Sequence, residues 1–136
     1  MDIDRFKHQH VDILARIDAL RRLAHHGVED NSAAIADHVA KLGSVVKLHL
    51  AIEDRILYPS VRRAADPRIA HLAEAYQEEM KGIAFEYQRF TKKWSTAAHV
   101  ANEPEAFRVA ANTVLREVYL RMQRENHEFY PAIEAL

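Results

Sequence analysis

The chain has no cysteine among its 136 residues. That excludes disulfides, thiolate metal ligands, cysteine-held iron–sulfur clusters and a cysteine nucleophile, and it fits a reducing compartment. Glycine and proline are scarce, at 3 and 4 residues, so little of the chain is turn and the composition is that of a helix-dominated protein. Neither sign of charge prevails: 19 Lys and Arg stand against 20 Asp and Glu, for a formal net charge of −1. Such a chain has no electropositive field to hold a nucleic-acid backbone or an anionic membrane surface, and neither is expected as a partner. No apolar run approaches the ~18 residues of a membrane span. The opening Met1-Asp2-Ile3-Asp4 also lacks the charged-then-apolar order of a secretion signal, so the expected location is cytoplasmic. No Gly-rich phosphate loop, nucleophile elbow or basic aromatic strip occurs, which removes nucleotide hydrolysis and acyl transfer. Whether the chain is an enzyme is left open, with binding the favoured reading.

What is there is helical periodicity. Ile3, Phe6, His10, Ile13, Ile17 and Leu20 fall at three- and four-residue steps, which predicts a helix over about residues 2–26, ended by Gly27. The stripe resumes through Ile35, Leu42, Val45, His49, Ile52 and Ile56, predicting a helix over about 32–62 with Asn31 or Ser32 as its cap. Asp66-Pro67 opens a third, over about 67–96, with Ile69, Leu72, Tyr76, Met80, Ile83, Tyr87, Phe90 and Trp94 inward. Thr96 to Asn102 is expected as loop. Pro104 opens a fourth, over about 104–133, with Phe107, Ala111, Val114, Val118, Arg121, Glu125 and Phe129 inward. The expected fold is all-α: one domain over residues 1–136, an antiparallel up-down-up-down four-helix bundle.

The chain also repeats itself. His49-x-x-x-Glu53 through Tyr58-Pro59 corresponds to Arg121-x-x-x-Glu125 through Tyr130-Pro131 at an offset of 72 residues. His10, Ile13, Ile17 and Leu20 on the first helix likewise correspond to Met80, Ile83, Tyr87 and Phe90 on the third. Two related helical hairpins therefore face each other.

Three polar residues interrupt the stripes of the first hairpin: His10, His49 and Glu53. Burying any of them alone is costly. His49 and Glu53 are one turn apart on one face, and His10 can approach from the neighbouring helix. Two imidazoles and a carboxylate suit a borderline divalent ion such as Fe(II), Mn(II) or Zn(II). A lone His-x-x-x-Glu more often reflects hydrogen-bonded core residues. The second stripe and the repeated hairpin move the reading toward a metal.

On these residues the chain resembles the hemerythrin and HHE cation-binding family. The motifs are a His followed by Ile-Leu on the first helix, His-x-x-x-Glu-Asp-x-x-Leu-Tyr-Pro on the second and Glu-Asn-x-x-Phe-Tyr-Pro on the fourth, across nearly the whole chain. The resemblance implies a non-haem di-iron centre bridged by two carboxylates and used for dioxygen binding, iron or redox sensing, or repair of nitrosative stress. By position, His10 and His49 resemble ligands of one iron, and Glu53 and Glu125 resemble the bridges.

The departures fall on the other iron, where Tyr76, Met80 and Arg121 line the expected pocket. A guanidinium stays protonated and cannot donate a lone pair to a metal, so Arg121 is expected to contact Glu125 or Glu53 as a permanent cation. Met80 is read as a core filler. Tyr76 is read as a core tyrosine with a bonded hydroxyl rather than a phenolate ligand. Glu74, Glu78 and Glu79 are expected to form a solvated acidic face. The remaining histidines form no set.

A di-iron protein with unusual ligands such as Tyr76 or Glu79, reducing or transporting a small oxidant, is hard to defend after the loss of three imidazoles, and two other readings are favoured. In one, a single ion (iron, or zinc or manganese) is held by His10, His49, Glu53 and Glu125 in a module responding to metal, dioxygen or another small oxidant. In the other, the bundle is a metal-free interaction or regulatory protein in which Arg121 replaces the second metal. Self-association is left open, with Tyr87, Phe90 and Trp94 as the surface for it should they be uncovered.

Overall fold

The computed structural model describes residues 2–64 and 66–136. Its elements are α1 (Asp4–His26), α2 (Ser32–Ile52), α3 (Tyr58–Arg62), α4 (Pro67–Trp94), α5 (Ala97–Asn102), α6 (Pro104–Arg124) and α7 (Tyr130–Glu134). Single π-helical turns, Glu53–Leu57 and Glu125–Phe129, join α2 to α3 and α6 to α7 without a break. Four long rods result: α1, α2–α3, α4 and α6–α7. Each packs against two neighbours around a closed ring, the geometry of an antiparallel four-helix bundle. No helix among the described residues is long and apolar enough to cross a membrane.

Local chemistry sets the ends of the rods. Gly27 takes a φ of 134°, a region open to glycine, and so turns the chain out of α1. Asn31 flanks α2, but its side chain does not cap that helix; its amide instead donates to the Gly27 carbonyl at 2.8 Å and closes the turn. Asp66 caps α4 as expected, its carboxylate accepting from the Arg68 amide at 2.9 Å ahead of Pro67 at the first turn. The stretch expected as loop at Thr96 to Asn102 contains the short helix α5, which buries Val100 against the end of the core. An apolar residue there gains more from a helical turn laid over the bundle than from solvent.

The π turns correct the reading of the second stripe. At a period of 3.6 residues Ile56 belongs inside, yet it is 51% exposed while Leu57 and Tyr58 are buried. Within each π turn the ladder runs to the fifth residue: the Tyr58 amide donates to Glu53, and the Tyr130 amide to Glu125. The extra residue rotates everything after it by about one position. Pro59 and Pro131 follow at once, and since proline has no N–H to donate, the ladder is already interrupted at that point. The same device occurs twice, 72 residues apart.

The core has two apolar blocks. One gathers Ile13, Ile17, Leu20, Leu42, Tyr87, Phe90, Trp94, Phe107 and Val118 with their neighbours. The other gathers Ile3, Phe6, Leu57, Tyr58, Val61, Tyr76, Phe129, Tyr130 and Ile133. Tyr87, Phe90 and Trp94 are thus covered by the bundle and offer no surface for self-association. Between the blocks along each chain segment lie His10, His49, Glu53, Arg121 and Glu125, the buried polar and charged residues among those described.

Two glycine substitutions probe the packing. A methyl added to Gly82 in α4 would meet nothing within 4 Å, so Gly82→Ala is expected to stabilise by about 1 kcal/mol through helix propensity alone. At Gly43 the methyl would lie 2.8 Å from Thr91 Oγ1, and Thr91 is stiff and bonded to the Tyr87 carbonyl. Gly43→Ala is therefore expected to lose that gain, and urea unfolding of both variants checks it. Equal stabilisation would mean that α2 and α4 are not so closely packed.

Candidate metal centre

Each rod except α4 contributes to one buried group. His10 comes from α1, His49 from the last turn of α2, Glu53 from the first π turn and Glu125 from the second. One ligand atom from each of the four residues lies within 4.8 Å of the others. His10 Nε2 is 3.0 Å from His49 Nε2 and 2.9 Å from Glu125 Oε1. His49 Nε2 is 2.7 Å from Glu53 Oε1 and 3.8 Å from Glu125 Oε1. The structure therefore brings together all four residues singled out in the sequence.

The imidazoles are held from behind. His10 Nδ1 lies 2.8 Å from Asn126 Oδ1, and His49 Nδ1 lies 2.6 Å from Gln9 Oε1. An amide oxygen only accepts, so each Nδ1 carries a hydrogen, and in the neutral ring that an ion would bind Nε2 is left to turn a lone pair inward. This is the arrangement by which an outer partner orients a metal-binding histidine. Gln9 does not stand out in the sequence, because a polar residue beside an apolar stripe looks like any surface residue, and Asn126 is visible there only as a motif position without an assigned role.

Glu53 is the decisive side chain for whether an ion fits. Both of its oxygens are buried and neither has a hydrogen-bond partner, although His49 Nε2 is close by. A buried carboxylate without directed donors is costly, and a cation among the four donor atoms would remove that cost. Two neutral nitrogens and two hard oxygens suit iron, zinc or manganese. The residues present fit an ion.

The second carboxylate faces two ways. Glu125 directs Oε1 toward the histidines, and its Oε2 accepts from Arg121 Nε at 3.0 Å. The expected contact of Arg121 with Glu125 is therefore present. The guanidinium, fully buried, also donates to the Tyr76 carbonyl at 2.6 Å, the Tyr58 hydroxyl at 3.2 Å and Glu79 at 3.2 Å. It lies 4.4 Å from the centre of the Tyr76 ring, a desolvated cation–π contact of about 2 kcal/mol.

The other pocket residues divide. The Tyr76 hydroxyl donates to Glu128 at 2.9 Å, with the Arg124 carbonyl at 3.3 Å as a second acceptor within reach, away from the donor cluster, so it is a core tyrosine with a bonded hydroxyl. Met80 is buried and lines a cleft with Leu50 and Ala84. Glu74, Glu78 and Glu79 are all exposed, as expected of a solvated acidic face, and Glu79 in addition bridges Arg121 and, at 2.7 Å, Arg124, supplying an acceptor on the outer edge of the buried guanidinium. The structure adds Tyr130, whose hydroxyl is 2.9 Å from His10 Nε2 and 3.4 Å from Glu125 Oε1. Its signal is the repeated Tyr-Pro, which a stripe at helical period assigns to packing.

Charge coupling shapes the protonation of the group when no ion is bound. Burial pulls the His49 imidazole down, but the Glu125 and Glu53 carboxylates outweigh it and push it up to about 9. Glu53 is raised by burial and by Glu125. For Glu125, burial is overcome by His10, His49 and Arg121, and its carboxyl is held well below the usual range.

The family model of the hemerythrin HHE cation-binding domain matches residues 1–133. The chain belongs to this family. No curated protein and no solved structure matches it. A cation-binding family and a buried His and Glu group that fits an ion agree on non-haem metal binding as the general function of this HHE chain.

Two outcomes follow for the HHE bundle. Because the raised His49 favours the folded state only while protonated, its contribution is complete below its ordinary 6.5 and lost as pH rises through about 9. Glu53, also raised, acts in the same direction, whereas the lowered Glu125 contributes above its ordinary 4.5 and is lost on acidification. Chelator-treated protein is thus expected to lose melting temperature between about pH 6.5 and 9, and a rising melting temperature there would contradict the coupling. Arg121→Ala is expected to destabilise by about 3–5 kcal/mol in denaturant unfolding, because Glu125 loses its buried counter-charge. Arg121→Lys should recover little, since one ammonium cannot span the guanidinium's partners.

Proposed function

We propose that this HHE chain is a one-domain, mononuclear non-haem metal protein that serves metal, oxygen or redox sensing or binding. His10 and His49 would hold the ion through Nε2, with Glu53 and Glu125 Oε1 as oxygen donors. One observation carries this reading: Glu125 offers one oxygen to the histidine cluster while its other oxygen is taken by a buried guanidinium. A carboxylate in that position resembles a bridge between two cations, one of which here is Arg121, covalently part of the chain. An iron ion bound to the remaining donors supplies one-electron chemistry and a position for a small molecule such as dioxygen.

The chain's own residues define the rest. Asn126 and Gln9 hold the imidazoles in the tautomer that presents a lone pair. The apolar blocks above and below exclude water, which strengthens every charge interaction in the layer. Arg121 keeps Glu125 ionised and denies the adjoining position to a second ion by charge and by volume.

The second reading is a metal-free regulatory or interaction bundle. Its support is that Arg121, Glu125, His10, His49 and Tyr130 already form a connected polar network. Metal analysis of protein purified anaerobically without an affinity tag separates the two, repeated on His49→Ala. About one ion per chain, lost in the variant, is expected, with a chelator lowering the melting temperature. No ion in the wild type would favour the metal-free bundle, and about two would overturn the role given to Arg121.

A further inference from the structure

The donor cluster contains a group that the four-residue set leaves out. The polar contacts of the Tyr130 hydroxyl are His10 Nε2 at 2.9 Å and Glu125 Oε1 at 3.4 Å. Both are prospective ligand atoms. An ion with bonds of about 2.0–2.2 Å spaces neighbouring donors by roughly 3.0–3.5 Å. The hydroxyl thus stands from its neighbours as one vertex of a coordination shell stands from the next. It is also fully buried, so its orientation is not set by solvent.

The internal repeat supplies a comparison within the same molecule. Tyr58 and Tyr130 are equivalent at the offset of 72, and each follows its π turn with its amide bonded to the glutamate five residues before it. From the first hairpin, the Tyr58 oxygen reaches across and accepts from the buried Arg121 guanidinium at 3.2 Å. That tyrosine oxygen is aimed at a cation. In the second hairpin the equivalent turn aims the Tyr130 oxygen at His10 and Glu125, where the cation would be a metal. Tyr76 is different, since its hydroxyl is occupied by Glu128.

We propose that Tyr130 is a fifth protein donor of the centre and binds as phenolate when the ion is Fe(III). On binding, the phenol O–H bond breaks, the proton passes to the buffer, and the oxygen lone pair forms the bond to iron. No electron is transferred. A phenolate is a hard, anionic oxygen donor, so it selects Fe(III) over Zn(II) and Fe(II), for which the phenol stays protonated. The inference rests on the mononuclear reading, and iron content tests that reading separately.

The full-length chain is loaded anaerobically with ferric citrate, freed of excess iron, and examined for iron content and visible absorption. One iron per chain is expected, with a phenolate-to-iron charge-transfer band. Tyr130→Phe should lose the band while keeping its iron, and Tyr58→Phe and Tyr76→Phe should keep both. Zinc-loaded protein should show no band. Should Tyr130→Phe not fold, resonance Raman spectra of wild type grown with ring-deuterated tyrosine give the same answer, through phenolate modes that shift with the label. Bound iron without a band, or a band that survives in Tyr130→Phe, would overturn the proposal and leave the mononuclear centre standing. Failure to bind iron at all would remove both.

Discussion

Two carboxylates buried at one depth in a bundle set the terms for everything around them. Glu53 and Glu125 are wholly withdrawn from water and lie beside a common pair of histidines. Ionised carboxylates in such surroundings repel each other and forfeit hydration, and the fold tolerates them only with positive charge close by. Arg121 answers for one side of Glu125. The donor atoms of His10 and His49 frame the space left for an answer to the rest. The apolar blocks at either end make that demand stringent, because they keep out the water that would otherwise meet it.

The π turns convert this demand into geometry. They sit directly after the two motif openings, so each begins with one of the buried glutamates. By widening one turn, each brings a glutamate and the tyrosine five residues later onto the same inward face, which a regular α-helix would splay apart. Pure packing would be served as well by an uninterrupted helix with Ile56 inside. The spacing shared by the two halves of the chain is therefore a matter of aiming polar atoms, and the apolar residues rearrange to suit.

Much of this is legible in the chain. The inward positions of α1 and α6 are those that the periodicity picks out, since an amphipathic rod in a bundle has few ways to turn. His10, His49, Glu53 and Glu125 are visible because a polar residue on an apolar stripe is anomalous, and Arg121 because it breaks a repeat. Periodicity misplaces Ile56 because it assumes a constant turn, and a bulge is visible only once the backbone is seen. Tyr130 escapes because an aromatic residue on a core face needs no explanation. Gln9 and Asn126 escape because their role depends on which neighbouring helix they meet. Val100 reads as loop because a six-residue helix is too short to display a period.

Arg121 has one more consequence. A metal ion comes and goes with its supply, whereas a guanidinium is permanent, neither titrated away nor removed by a chelator. The seam where α4 meets α6 is latched by Arg121 through the Tyr76 carbonyl and Glu79 under all conditions. At the seam between α1 and α2 it is imidazoles that meet across the gap, with no guanidinium to fasten them. A molecule assembled from two nearly matching halves is thereby made lopsided: one flank is pinned by a charge that is always present, and the other meets through rings whose charge depends on protonation or on a bound ion.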